Sequence, residues 1–289
     1  MSVHAASRTL AVVLVGAVLL GGCIPAGAAG HAPSARSAAP VAQVTPTPAP
    51  LPTVEPSVSP SPRASSTASP EPTPTPSPTP KPKPARGPVI VNLVRNPKAA
   101  FITEIRKTWC AASGTQMVLA FDGKVDLTAA TQASIVKKTA SLWDRKDSLT
   151  PGWGPGMIAK SLEKYGVPGY EVRTYKTRQA ALLDAARAVE RLHQPVLLMV
   201  WWGAHTWVMT GFKATQDPVA YKDAVITGTY VLDPWYPRIS SIWGPSDPPG
   251  TFQNNAEMIR NYIRWTRPEG RYPGRDGQFV AVVPTLRAP

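Results

Sequence analysis

Thr108-Trp109-Cys110-Ala111-Ala112-Ser113-Gly114-Thr115-Gln116-Met117-Val118-Leu119-Ala120-Phe121 is the stretch on which the reading of this 289-residue chain turns. From Cys110 onward it predicts a buried helix. Small residues fill the first turns, where other backbone can approach closely, large apolar residues fill the last, and Asp122-Gly123 closes it. Cys110 then stands at a helix N-terminus, where unpaired N–H groups and the macrodipole favour the anionic form of a thiol. It is the only cysteine among residues 89–289.

Working outward towards the C-terminus, residues 127–145 read as an amphipathic helix. Pro151 to Gly156 read as a loop, and Met157 to Tyr165 as a helix ended by Gly166. Tyr170 to Tyr175 looks like a strand. Residues 178–193 return to helix, with Ala181, Leu182, Ala185, Ala188, Val189 and Leu192 on one face. The pattern then changes to sheet. Pro195 to Trp202 is a buried strand, Gly203-Ala204 a tight turn, and His205 to Phe212 a second strand. A third, Thr229 to Leu232, ends at Asp233-Pro234. Helices first and antiparallel strands later predict an α+β fold. Residues 240–275 read as a long covering loop with a short helix near 254–263.

Working outward towards the N-terminus, residues 1–28 read as an export signal. Arg8 precedes an apolar run from Leu10 to Leu20 that is too short for a membrane span of about 20 residues. Leu20-Gly21-Gly22-Cys23 resembles a bacterial lipobox and makes Cys23 the candidate lipidation site, with Ala26-Gly27-Ala28 as an ordinary cleavage site in its place. Residues 29–88 hold eighteen of the 34 prolines among Ser, Thr and Ala, a composition that cannot bury a core. Extended as polyproline II it would reach roughly 180 Å, which suits a spacer through a cell wall. The expected location is therefore the outer face of the membrane or the wall.

Residues 89–289 remain as one domain. They carry all nine tryptophans and 25 Lys and Arg against 16 Asp and Glu, a charge of +9. The basic residues are scattered, which suits wall polymer or a membrane surface and gives no reason to expect nucleic acid. An exported domain usually spends cysteines in pairs, so the lone Cys110 is either a structural core residue or a reactive one. One cysteine with His193 and His205 has no metal-ligand spacing, so neither a metal nor another cofactor is expected. Oligomeric state is not legible.

Four motifs in order, Thr108 to Ser113, Gln194 to Leu198, His205 to Phe212 and Val231 to Pro234, resemble the papain-like cysteine peptidases, in the branch that removes double-glycine leaders from bacteriocins. The resemblance spans most of residues 100–236. It implies a central Cys-bearing helix packed on an antiparallel sheet that carries His and Asp, and a peptide or protein substrate cleaved through a thioester. Its catalytic roles fall on Cys110 as nucleophile, His205 as general base and acid, and Asp233 as the group that orients His205. Each residue also has a structural reading: Cys110 as core filling, His205 as a turn histidine, Asp233-Pro234 as a strand-ending turn. His193, the rival base, sits where a helix cap explains it. Trp109, Trp153, Trp207 and Trp235 are candidates for lining a cleft, though a core would use the same residues.

One position departs from the pattern. The family places Gln six residues before the nucleophile to hold the oxyanion; here stands Glu104. An ionised carboxylate cannot donate to an oxyanion, so the role requires a protonated Glu104 or another donor such as Gln116, with the Cys110 N–H. The alternative is a papain-like binding or adhesion module displayed on the stalk. A cell-wall amidase and a carbohydrate-binding surface of tryptophans are further readings.

Overall fold

The computed structural model describes residues 83–148, 153–266 and 270–286, all within one unit of the chain, Thr75–Pro289. Residues 1–28, read as an export signal and including Cys23, residues 29–82 of the Pro-rich segment and the start of the 151–156 loop lie outside the described residues.

A strand that is apolar on both faces belongs inside a sheet covered on both sides. β3 (Val196–Val200) is such a strand, buried throughout. It lies in a seven-stranded sheet of order β2 (Tyr170–Tyr175), β9 (Phe279–Pro284), β3, β4 (His205–Ala214), β5 (Ile226–Leu232) and β8 (Thr251–Asn254). β1 (Val89–Asn92) pairs with the far end of β4. Every pairing in this sheet is antiparallel. Alternation sorts the core into two layers. Val196, Leu198 and Val200 pack with Leu182, Ala185 and Val189 of α4 (Arg178–Leu192). Leu197 and Met199 pack in a second cluster with Met117 and Leu119 of α1 (Cys110–Phe121), Ile135 of α2 (Ala129–Thr139) and Ile158 and Leu162 of α3 (Pro155–Lys164). A one-residue slip of β3 would exchange the two layers, so its register is strongly specified.

The fold is α+β with an antiparallel sheet, as expected, but helices and strands are less segregated than the sequence suggests. β1 precedes α1, β2 falls between α3 and α4, and α4 covers the opposite face of the sheet from α1 and α3. The helix expected over 127–145 is shorter. It gives way to a 3-10 turn at Ala140–Leu142, and the Asp144 carboxylate then accepts from the Lys146 N–H, a local turn that competes with continued helix. β3 stops at Val200 because Trp201 and Trp202 take left-handed backbone, φ 53° and 62°. The stretch read as a covering loop holds the hairpin of β6 (Ile239–Ser240) and β7 (Gly244–Pro245), edge strand β8 and α5 (Asn255–Asn261). Asn254 and Glu257 form a capping box that starts α5. The last residues of the expected spacer lie against the domain: the Tyr221 hydroxyl donates to Pro84 O, and Arg86 reaches Gln216 and Asp223.

At Gly211 the backbone of β1 comes close to β4. A Cβ there would sit 2.2 Å from Val91 O and 2.7 Å from Asn92 Cα, where β1 crosses β4 beside a register shift. Backbone cannot yield as a side chain does. Gly211→Ala is expected to cost about 1–3 kcal/mol in denaturant unfolding. Gly123→Ala, with φ +66° and nothing within 4 Å, is expected to cost about 1 kcal/mol.

Candidate active site

α1 begins at Cys110, and its N-cap, Trp109, makes no side-chain cap hydrogen bond. The first-turn amides therefore stay free of side-chain caps beside the thiol. Gly114 lets the helix lie close on the sheet: a Cβ there would stand 3.2 Å from Leu197 Cδ2 and 3.4 Å from Val208 Cγ2. This packing carries Cys110 to the start of β4, whose first residue is His205. The β4–β5 pairing, with Val208 opposite Leu232, brings Asp233 to the same end.

The three side chains meet there. His205 Nε2 lies 2.7 Å from Asp233 Oδ1, with both side chains almost wholly buried. Asp233 Oδ1 also accepts the Trp235 N–H at 2.9 Å, which fixes the carboxylate. On its other side the half-buried Cys110 lines the same cleft as the imidazole. Trp201 stacks on the imidazole with ring centres 4.3 Å apart and planes 20° apart, and its Nε1–H is held by Asn261 Oδ1 at 3.1 Å. Burial by itself disfavours the imidazolium. The negative charge of Asp233 and its hydrogen bond, with Cys110 close by, outweigh it and raise His205 to about 10.

Glu104 is fully buried, and its charge is answered by a residue that sequence reading missed. Arg238 Nη1 donates to Glu104 Oε1 at 3.0 Å and Nη2 to Glu104 O at 2.7 Å. The Arg238 guanidinium also lies 5.3 Å from the centre of the Trp235 ring. Glu104 Oε2 is buried without a hydrogen-bond partner, although the carboxyl faces the Trp109 N–H, which is itself donated to Arg106 O. Burial pushes Glu104 up to about 7; the charges of His205 and Arg238 pull it down, and that of Asp233 pushes it up. A buried acid calls for a cation, but nothing in sequence singles out Arg238 among the 25 Lys and Arg of the domain. Gln116, the other oxyanion candidate, is committed elsewhere. Its Nε2 donates to Asp126 O and Thr128 O, and its Oε1 accepts from Gln132.

Cys110 and His205 open onto a cleft of about 380 Å³. Of the four tryptophans expected to line it, Trp153 and Trp235 do. Trp207 does not. It is 1% exposed in the core on α4's side of the sheet, because two strand positions beyond His205 the same face is already under α4. Trp109 turns to Arg106 instead, 5.3 Å from its guanidinium. Trp201 and Trp243 complete the wall. Trp243 comes from the β6–β7 hairpin, which no periodicity announced. Asp147, next to the cleft residue Ser148, accepts the Gly156 and Met157 N–H groups at the start of α3 with its carboxylate and pairs with Arg275. His193 caps α4 in left-handed backbone, as expected of it. Among the described residues no cluster of three His, Cys, Asp or Glu could hold a metal ion.

No family model matches the chain, and no curated protein matches it. Among solved structures it is similar to a double glycine motif protease from an AMS/PCAT transporter, determined in complex with the leader peptide. The identity is 17% over 64% of this chain and 91% of the other, with a TM-score of 0.30. A likeness that loose leaves function to the geometry of the site.

Both perturbed groups hold their protons more tightly in the folded protein, so stability falls as pH rises. The contribution of His205 is full below its ordinary value of 6.5 and is lost as pH climbs through about 10. The cost of ionising Glu104 is absent below 4.5 and complete above about 7. Thermal melting followed from pH 4 to pH 10 is expected to decline across both windows, and Glu104→Gln to remove the decline in the lower one.

Proposed function

We propose that this chain is an exported cysteine hydrolase that cleaves a peptide or amide bond through a thioester on Cys110. The observation that carries the reading is the buried imidazole of His205, hydrogen-bonded to Asp233 and lining the same open cleft as the Cys110 thiol. His205 takes the Cys110 proton. The sulfur attacks the carbonyl carbon, and the resulting oxyanion faces the Cys110 N–H and a protonated Glu104. His205 returns its proton to the leaving amine as the C–N bond breaks. Water, deprotonated by His205, then splits the thioester and releases the acid. Asp233 keeps the ring oriented and stabilises its protonated form.

Residues 1–28 direct export, Cys23 is the lipidation site, and the Pro-rich segment carries the domain away from the membrane surface. A binding module without catalysis is favoured by one observation, the acid at position 104, which above about pH 7 loses the proton that the oxyanion needs.

Alkylation of Cys110 by iodoacetamide separates the two. In the hydrolase, wild type at pH 6 reacts faster than His205→Ala by about tenfold or more, because an unassisted thiol with a pKa of about 8.5 is almost wholly protonated there. Equal rates in the two proteins would reject the hydrolase and leave the binding module.

A further inference from the structure

We infer that the β6–β7 hairpin is the specificity element of this site and that the cleft takes a substrate with a bulky, uncharged apolar side chain beside the scissile bond. The inference rests on the hydrolase reading above and adds the substrate class. Ile239 and Ile242 are among the most exposed large apolar residues of the domain, at 72% and 62%, and both lie on this short hairpin. Ile242 and Trp243 line the cleft that holds Cys110 and His205, so the apolar surface opens into the site. Such surface at the mouth of a reactive cleft marks a binding edge. Apart from His205, the one ionisable side chain besides the Cys110 thiol that lines the cleft is Lys107, so no carboxylate there would pair with a cationic side chain.

The hairpin is also preorganised. Ser240 Oγ accepts the Ile242 and Trp243 N–H groups, Arg260 donates to Trp243 O, and Ser246 Oγ donates to Arg238 O. Trp243 lies parallel to Trp201, planes 2° apart and centres 5.4 Å apart, and Trp201 in turn stacks on His205. A side chain seated on Ile242 and Trp243 therefore rests against the same aromatic stack that holds the imidazole, and binding there bears directly on the group that moves the proton.

The test compares three alkylating probes on the full chain, with Cys110→Ala as blank: iodoacetamide, the phenethyl amide of iodoacetic acid and its aminoethyl amide. The phenethyl probe is expected to label Cys110 about tenfold or more faster than iodoacetamide, the gain from burying one ring, and the aminoethyl probe no faster. Ile242→Ser, at an exposed position that leaves folding intact, lowers the phenethyl-to-iodoacetamide ratio about threefold or more. A ratio near one in wild type, or a ratio untouched by Ile242→Ser, overturns the inference while the hydrolase reading stands on the dependence of iodoacetamide labelling on His205. A folded protein whose Cys110 reacts with none of the probes overturns both.

Discussion

An imidazole shut away from water must find its hydrogen-bond partners inside the protein, and the 2.7 Å contact between His205 and Asp233 is how this one does. Burying either group alone would cost several kcal/mol or force it neutral. The two together hold a proton, and their pairing depends on the rest of the sheet. β4 and β5 must pair in the observed register for the last residue before Pro234 to reach the first residue of β4. β3 must lie on the other side of β4, and α4 must cover the face beyond, for the pair to stay dry.

Strain has collected at the same end of the sheet. Trp201 and Trp202 adopt left-handed backbone, uncommon for aromatic residues, and Gly203 continues it at φ +84° with the Trp265 ring where a Cβ would be. Such backbone costs about 1–3 kcal/mol per residue and persists only where the surroundings hold it. Here the Asn261 hydrogen bond and the flanking rings of His205 and Trp243 hold it. The return is that Trp201 lies flat on the imidazole, something a strand continuing straight to Trp202 could not deliver.

Glu104 and Arg238 bring a second charge pair into the same dry region. The guanidinium satisfies one carboxylate oxygen and the main-chain carbonyl and leaves the other oxygen unpaired. Removing an acid from water raises its affinity for a proton even beside a cation, which is why the site can hold protons on both Glu104 and His205 near neutral pH. The charges of His205, Arg238 and Asp233 thus all bear on the proton that Glu104 holds.

Local patterns carried much of this in the sequence. The all-apolar run from Val196 to Val200 declared a doubly covered strand, small residues after Cys110 a close-packed helix start, and the spacing of Ala181, Leu182, Ala185 and Val189 one face of α4. Local pattern also placed Cys110, His205 and Asp233 each at the end of an element, whereas their grouping in one site was an expectation carried by the resemblance of the flanking motifs. What the tertiary structure alone decided were contacts between residues far apart in the chain: Arg238 with Glu104, Asn261 with Trp201, Trp243 over Trp201. It also decided that Trp207 belongs to the core and Trp243 to the cleft. Periodicity reports which face of an element is apolar. It cannot report which other element covers that face, because that depends on how the whole sheet is paired and where its ends fall.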